Sequence, residues 1–371
     1  MTTKLLDFAV FIGRMRPVHL AHMKIIEEAL EKADKLVILV GSANRPRSFV
    51  VSAFEYAEVL AMLTLLYKHH IASGRLVVMP LDDFVYDHDG WQLNTKRVVN
   101  AVVRRTLALE GRRDVDLHSL KVGLAGFGKD ASSYYLNMFP EWESIQVGKQ
   151  FALLSATAVR DAYFQRIPQL SDFALDPRII EYLRDFMHTD EFAYVVRERE
   201  AIEKNIREYG RGPFSASDAV ITWRDHVLLV NRDGRVGYGL DAFPGGMLEC
   251  GETTLQCAFR ELNEETRVLD LNPGFQQTLM NSMAGYRLFD APDRDPRGHY
   301  MSHAYHFALP DDFDAASLRM EPRSDARAVR LVPISEWGHK KAFLEHFAIL
   351  RKFVPANDDV AATAGEFKAA A

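Results

Sequence analysis

Three glutamates, Glu261, Glu264 and Glu265, are spaced so that one face of a helix would carry all three side chains. Three like charges in this arrangement destabilise a helix and attract a hard divalent cation. Mg²⁺ prefers oxygen ligands and commonly bridges carboxylates to phosphates. Taken alone, the spacing is more typical of a solvated acidic helix face. The residues around the three glutamates therefore decide whether the sequence predicts metal-assisted phosphate chemistry.

The surrounding residues complete a longer pattern. Gly246 is followed after five residues by Glu252, and Arg260 stands seven residues further on, directly before Glu261. This spacing resembles the box of the Nudix hydrolases, G-x5-E-x7-R-E-U-x-E-E-x-G-U with U aliphatic. Every fixed position agrees except the second glycine, which is Arg267.

The Nudix resemblance implies a role for each matching residue. Glu252 pairs with Arg260 and orients the helix, while the metal, Mg²⁺ with Mn²⁺ as the alternative, is held by Gly246, Glu261, Glu264 and Glu265. Arg267 stands where the family ends this helix in a left-handed turn. A residue other than glycine there costs about 1 kcal/mol. We therefore expect Arg267 to affect stability and to leave metal binding intact.

A polar segment downstream narrows the substrate. Residues 290–298, DAPDRDPRG, resemble the D-x-P-x-R-D-P-R-G segment of ADP-ribose pyrophosphatases. Arg294 and Arg297 would face phosphate, because a guanidinium group matches its geometry. Read alone, the segment is an ordinary Pro/Gly loop. The resemblance implies hydrolysis of ADP-ribose to AMP and ribose 5-phosphate. For the general base, Glu321, Asp325 and Glu336 all stay open.

A second chemical centre is predicted near the N-terminus. The apolar strand Asp7–Gly13 runs directly into Arg14, Met15, Arg16 and Pro17, and His19 and His22 follow one helical turn apart. A strand-to-helix turn aims backbone N–H groups and the helix dipole at phosphate. Both histidines could contact one triphosphate. A metal pair and two structural histidines are the alternatives.

This segment resembles the G-R-[FM]-Q-P-x-H-x-G-H signature of the nucleotidylyltransferases, in the form of the archaeal-type nicotinamide mononucleotide (NMN) adenylyltransferases. Residues 154–160, LSATAVR, resemble their second motif. The resemblance implies transfer of AMP from ATP to NMN, giving NAD and pyrophosphate. It assigns phosphate binding to Gly13, Arg14, Arg16, Ser155 and Thr157, catalysis to His19, His22 and Arg160, and NMN binding to Gly41, Ser42 and Trp91.

Both motifs in this order resemble the bifunctional NMN adenylyltransferase/Nudix hydrolase family, over nearly the whole chain. Four residues depart from the first motif set: Ala21 replaces a glycine, Arg16 a glutamine, Phe127 a histidine and Tyr56 an arginine. These departures bear on turnover and acceptor preference. An ADP-ribose or NAD sensor without turnover stays open. So does a nucleotidylyltransferase that acts on another phosphorylated acceptor, such as pantetheine phosphate or a sugar-alcohol phosphate.

The elements that must position these residues form two patterns. Strands alternate with helices in the first half, which predicts βαβ units and a parallel, Rossmann-like sheet. The second half reads as an α+β Nudix sandwich. We expect a nucleotidylyltransferase domain over residues 1–187, a charged helical linker over 188–214, a Nudix domain over 215–355 and a flexible tail over 356–371.

The composition of the chain limits the kinds of partner that the protein is expected to bind. The 371 residues are 48% hydrophobic and 26% charged, with a formal net charge of −6 and two cysteines. A basic stripe for duplex binding, a disulfide framework and an apolar run of membrane length are all missing from the sequence. We expect a cytoplasmic enzyme whose partners are ATP, NMN, NAD and ADP-ribose, with no nucleic acid and no membrane. A homo-oligomer stays open.

Overall fold

The computed structural model describes residues 5–126, 135–147, 156–165, 170 and 173–355. The chain divides into two compact units, Met1–Arg199 and Glu200–Ala371. Residues predicted as a linker are helical over Asp190–Tyr209, and a strand begins at Phe214. Within the described ranges, no helix combines the length and the apolar character needed to cross a membrane.

The first unit is built on a five-stranded parallel sheet in the order β3-β2-β1-β4-β5. The chain moves outward from β1 to β3 and then returns to the other side of β1, so the direction of winding changes between β1 and β4. Ligands of such sheets bind at the carboxyl ends of the strands beside this point. The strands are β1 Leu6–Gly13, β2 Ala33–Val40, β3 Leu76–Pro80, β4 Val122–Gly126 and β5 Glu143–Gln146.

Helices cover both faces of this sheet, as predicted for a Rossmann-like fold. On one face the core joins α1, α2, α4 and α5 to the strands; on the other it joins α3. In α1 the buried residues Ile25, Ile26, Ala29 and Leu30 recur at helical spacing and form its apolar stripe. The helices are α1 Leu20–Lys32, α2 Tyr56–Ala72, α3 His88–Leu109, α4 Ala156–Phe164, α5 Pro177–Phe186 and α6 Asp190–Tyr209.

The second unit contains a mixed sheet with the path β10-β11-β6-β7-β12, to which β8 and β9 attach through β7 and β6. Strands β6 and β11 are parallel, and the other pairs are antiparallel. Its strands are β6 Phe214–Trp223, β7 His226–Arg232, β8 Asp241–Ala242, β9 Gly245–Met247, β10 Met283–Phe289, β11 Tyr300–Leu309 and β12 Ala326–Pro333.

This sheet lies between two helical layers, which confirms the predicted Nudix sandwich. The core on one face includes Phe259 and Leu262 of α7 and Leu279 of α9, whereas the other includes Ile349 and Leu350 of α10. The helices are α7 Thr254–Thr266, α8 Val268–Leu271, α9 Phe275–Asn281 and α10 His346–Phe353.

Helix α7 carries the three glutamates, and local chemistry fixes both of its ends. Thr253 accepts a hydrogen bond from the backbone N–H of Gln256, whose side chain accepts one in return from Thr253, forming a capping box. At the other end Arg267 adopts the left-handed conformation, with φ 52°. Its N–H donates to the carbonyl of Asn263 (2.8 Å).

Candidate active sites

The first candidate site lies at the carboxyl ends of β1 and β2. The N–H of Gly41 donates to the carbonyl of Gly13 (3.1 Å), which brings the two loops together. Arg14 is exposed beside this junction, its Cγ lying 3.7 Å from the place where a Cβ on Gly41 would stand. Ser42 follows with φ 56° and is buried. The structure thus brings together Gly13, Arg14, Gly41 and Ser42.

Arg16 lies under the first site and is engaged by backbone groups. Its buried guanidinium donates to the carbonyls of Gly41 (3.0 Å), Ser42 (3.3 Å) and Val51 (2.9 Å). Burial, followed by repulsion from Arg14, lowers the pKa of Arg16 to about 10. Phosphate binding by Arg16 stays a prediction, and in this structure the side chain is engaged by backbone carbonyls. Arg16 ties the loop after β1 to the loop after β2.

The two histidines stand together at the start of α1. His19 is the N-cap residue and is buried, and its backbone N–H donates to Nδ1 of His22 (3.3 Å). Their rings stack with centroids 3.8 Å apart and planes at 24°. The pair therefore lies at the positive end of a helix, directly after the loop that holds Arg14.

Arg160 reaches the same region from α4. Its Nη1 donates to the carbonyl of Val50 (2.7 Å), and its guanidinium lies 5.2 Å from the ring centre of Phe49. Burial lowers the pKa of Arg160, and repulsion from Arg14 adds to the effect. Arg14 thus acts electrostatically on both Arg16 and Arg160, so three guanidinium groups make the region electropositive. Thr157 is exposed in the first turn of α4, and Ser155 lies outside the described residues.

Trp91 occupies the first turn of α3 and is half-buried in an aromatic cluster. Its ring centroid lies 6.5 Å from that of Tyr135 and 6.1 Å from that of Phe139. The hydroxyl of Tyr135 donates to the carbonyl of Ile12 (3.3 Å), near the end of β1. Trp91 is therefore linked to the end of β1 through the ring of Tyr135. Phe127 lies outside the described residues.

The second candidate site lies where α7 meets β9. A Cβ on Gly246 would collide with the carboxylate of Glu261, so only glycine allows this close approach. Glu265 is buried, and its Oε2 accepts a hydrogen bond from the N–H of Gly245 (3.3 Å). Two of the three glutamates therefore lie against β9. Glu264 is about half exposed, with its Oε2 3.4 Å from Nη1 of Arg260.

Arg260 organises the charges of this site. It forms two hydrogen bonds with Glu252 (2.8 and 3.1 Å) and one with Glu261 (2.7 Å). The Arg260 guanidinium lowers the pKa of Glu252 to about 2. Burial instead raises the pKa of Glu261, and it raises that of Glu265 to about 8. Glu252 is thus a fixed anion, whereas burial disfavours the ionisation of Glu265 and, despite its bond to Arg260, of Glu261.

The donor chemistry here suits a hard divalent cation. The charge of Glu261 opposes the ionisation of the buried Glu265 carboxylate, and a cation bound between them would relieve this repulsion. The described part of the chain nevertheless has no preassembled group of three ligands. Glu261 is engaged by Arg260, Glu264 points outward and Glu265 binds backbone.

Arg294 and Arg297, the predicted phosphate ligands of the second unit, are both ion-paired within the chain. Arg294 is buried and forms an ion pair with Glu345, and its Nη1 donates to the carbonyl of Tyr300 (3.1 Å). Arg297 forms two parallel hydrogen bonds with Asp295 (2.9 and 2.6 Å) and lies over the Tyr300 ring. Both guanidinium groups therefore have carboxylate partners within the loop and core. The structure does not present them as open phosphate ligands.

Sequence reasoning missed a buried polar group beside the second site. Asp218 on β6 is buried next to Gly245 and accepts a hydrogen bond from the hydroxyl of Ser302 on β11. Burial raises its pKa. The signal was an acidic residue inside the apolar run of β6, since a buried carboxylate in a central strand needs a specific partner. Of the three candidate bases, Glu321 is ion-paired with Arg267 (2.5 Å).

Comparisons with known proteins agree with both halves. Residues 10–114 match the family described as cytidylyltransferase-like, and residues 213–354 match the NUDIX domain. The nicotinamide/nicotinic acid mononucleotide adenylyltransferase of Acinetobacter baylyi is 31% identical over 184 residues, which cover 50% of this chain and 88% of that protein. The ADP-ribose pyrophosphatase of Methanocaldococcus jannaschii is 37% identical over 90 residues, covering 24% of this chain and 47% of that protein.

Two of the solved structures, both of a Francisella tularensis protein, span both units of this chain. The bifunctional NMN adenylyltransferase/ADP ribose pyrophosphatase of Francisella tularensis is 28% identical, with a TM-score of 0.77, and the match covers 94% of this chain and 98% of that one. Fold and sites together define a protein with a nucleotidylyltransferase unit followed by a NUDIX unit. The chain belongs to the bifunctional NMN adenylyltransferase/Nudix hydrolase family, as its motifs predicted.

Proposed function

We propose that the protein is a bifunctional enzyme of NAD metabolism. The first unit transfers AMP from ATP to NMN, and the second hydrolyses ADP-ribose to AMP and ribose 5-phosphate. The observation that carries the first activity is the stacked His19–His22 pair beside Arg14 and Arg160 at the carboxyl ends of β1 and β2. The placement of Glu261 and Glu265 against β9 carries the second.

In the first unit, His19 and His22 bind the phosphates of ATP at the start of α1. Arg14 and Arg160 offset the charge that develops on the pyrophosphate leaving group. A phosphate oxygen of NMN attacks the α-phosphorus in line, and the bond to pyrophosphate breaks. Gly41, Ser42 and Trp91 form the side where NMN binds. Positioning and electrostatic stabilisation supply the catalysis, without a covalent enzyme intermediate.

In the second unit, Gly246, Glu261, Glu264 and Glu265 hold a divalent cation, Mg²⁺ or alternatively Mn²⁺. The structure of the Francisella protein complexed with AMP and an Mn ion supports the class of metal. Such a cation polarises a diphosphate and lowers the pKa of the attacking water. Arg260, held by Glu252, keeps α7 oriented toward β9, because its Nη2 also donates to the carbonyl of Met247 (2.9 Å).

The two assignments predict separable losses. Glu264→Gln combined with Glu265→Gln should abolish AMP release from ADP-ribose while NAD synthesis stays at the unmodified rate. His19→Ala combined with His22→Ala should do the reverse. Asp312→Asn, at an exposed acidic residue outside the box, is the matched control and should change neither reaction. Equal loss of both activities in either double variant would contradict independent sites.

The acceptor is tested directly by a panel. Purified protein is given labelled ATP, Mg²⁺ and, in separate reactions, NMN, pantetheine phosphate or a sugar-alcohol phosphate. Labelled NAD should form at least tenfold faster than any other adenylylated product. Turnover of another acceptor alone would overturn the NMN assignment. Calorimetric binding without any product would instead indicate a sensor.

We also propose domain boundaries and a setting. The boundaries are 1–187, 188–214 and 215–355, with 356–371 as a tail. The setting is the cytoplasm, with small phosphorylated substrates and no nucleic acid. The net charge of −6 supports the last point, because duplex binding relies on a basic surface.

A further inference from the structure

A groove in the first unit lies apart from the candidate active site. It has a volume of about 770 Å³ and runs between the C-terminal part of α3 and residues 113–120. Sites for small molecules typically measure about 300–1,000 Å³. The groove borders Val122, the first residue of β4, whereas the nucleotide loops lie at the opposite, carboxyl ends of the strands. Five residues of β4 span about 13 Å between these ends.

The walls and floor of the groove differ in chemistry. Lys96, Asn100 and Arg104 follow one another at four-residue intervals and form a polar stripe along one side of α3. Arg113 and His118 stand on the facing segment. The floor is apolar and consists of Leu107, Leu117, Leu120, Val122 and Trp142.

The charge that is available to a ligand in this groove is positive. Glu141 is neutralised by Lys96 (2.8 Å), and a carboxylate oxygen of Asp116 already accepts a hydrogen bond from the N–H of His118 (3.0 Å). By contrast, the exposed guanidinium groups of Arg104 and Arg113 make no hydrogen bond or ion pair with any residue that the structure describes. Two free guanidinium groups favour an anion, and phosphate matches their geometry best.

The floor adds a preference for a planar group. Trp142 is half-buried, and one face of its ring stacks on Phe139 with centroids 4.3 Å apart and planes at 7°. The indole is therefore held rigid where it borders the groove. We propose that this groove is a second, non-catalytic binding site for a nucleoside monophosphate. Arg104 and Arg113 bind the phosphate, and the base lies along the apolar floor beside Trp142.

The test is calorimetric titration of the full chain with AMP. The unmodified protein should bind one more AMP per chain than the double variant Arg104→Ala/Arg113→Ala, or should bind that AMP at least about tenfold more tightly. The matched control is Arg97→Ala/Arg105→Ala, which removes the same charge from exposed positions of α3 outside the groove. This control should bind AMP as the unmodified protein does.

A second variant tests the planar part of the ligand. Trp142→Leu should weaken AMP binding at this site and leave the binding of inorganic phosphate unchanged, while Trp142→Phe should restore most of the loss. Three results would overturn the proposal. The first is identical AMP isotherms for the unmodified protein and the Arg104/Arg113 variant. The second is an equal loss of AMP binding in the Arg97/Arg105 control. The third is a changed oligomeric state of the Arg104/Arg113 variant without a change in its AMP binding. The site does not depend on turnover, so failure of the proposed catalysis leaves this test valid.

Discussion

Replacing Arg267 by glycine tests how the helix that carries the three glutamates ends. Arg267 adopts a left-handed conformation, with φ 52° and ψ 14°. Glycine adopts this conformation without the steric penalty of a Cβ, so a different residue costs about 1 kcal/mol there. Against this cost, Nη1 of Arg267 lies 2.5 Å from Oε2 of Glu321.

The ion pair offsets only part of that strain. The Arg267 side chain is 28% exposed and that of Glu321 is 56% exposed, so solvent screens their attraction to less than about 1 kcal/mol. The backbone bonds that cap the helix, from the N–H groups of Glu321 and Arg323 to the carbonyls of Thr266 and Glu265, do not need the Arg267 side chain. Arg267→Gly should therefore change the free energy of unfolding by less than about 1 kcal/mol.

Arg267→Ala keeps the strained backbone and loses the ion pair, so it should be about 1 kcal/mol less stable than Arg267→Gly. Scanning calorimetry of the full chain should show this difference as about 2–4 °C in the midpoint temperature at which the second unit unfolds. Leu262→Ala leaves a cavity in the buried core of the second unit and should lower the unfolding temperature of that unit by more. This larger shift identifies which calorimetric transition belongs to the second unit.

Two results would refute this reasoning. If the alanine and glycine variants melt together, the left-handed turn is not strained by a side chain. Glu321→Gln should destabilise the unmodified protein slightly and should have no effect in the Arg267→Gly background. Equal destabilisation in both backgrounds would show that Glu321 acts through another partner.

Three further predictions concern buried or clustered charges. Arg294→Ala removes the guanidinium that is ion-paired with the buried Glu345 carboxylate, so chemical denaturation should show a loss of about 3–5 kcal/mol in the free energy of unfolding, whereas the loss of a simple phosphate ligand would change only KM. His346 is buried, and its Nδ1 accepts a hydrogen bond from the N–H of Phe243 (3.0 Å); burial and nearby arginines hold its pKa well below the usual value. The unfolded state therefore binds more protons than the folded state, so the free energy of unfolding should be highest above about pH 6.5 and should fall as the pH drops below it. The His346→Asn variant should show a flatter dependence of unfolding free energy on pH. An unchanged pH dependence in that variant would exclude this histidine as the cause. Arg14→Ala should raise KM for ATP at least tenfold with little change in melting temperature, whereas Arg16→Gln should lower the melting temperature of the first unit. A lower melting temperature in Arg14→Ala together with a raised KM alone in Arg16→Gln would contradict the structure.

The fold was largely predictable from the sequence because its strands and helices have strong periodic patterns. The position of β1, Leu6–Gly13, agrees closely with the apolar run Asp7–Gly13 that predicted it. Helix α2 spans Tyr56–Ala72, although the amphipathic spacing in the sequence already begins at Ser52. Glu55 and Glu58 form a capping box that starts it later than the pattern alone indicates. The short strand β5 has too few residues to show a periodic signal.

The contacts of the glycines and carboxylates were also predictable, because spacing along one helix determines which side chains share a face. Glu261 and Glu265 both reach β9, and Glu252 pairs with Arg260, as the pattern implies. The partners of the other arginines were not predictable. A long side chain can reach an anion or carbonyl from a distant segment, and the fold alone decides which group is there.

The arginines of this protein therefore divide by what the backbone places beside them. Arg16 lies where three carbonyls from the loops after β2 converge, and desolvation makes those bonds obligatory. Arg14, two residues away, is exposed and has no partner among the described residues. Burial is the main cause that lowers the pKa of Arg16 and of Arg160, and the charge of Arg14 adds to both shifts. An anion with several charges would relieve the repulsion among the three guanidinium groups, which is the physical reason to expect a triphosphate at the carboxyl end of β1.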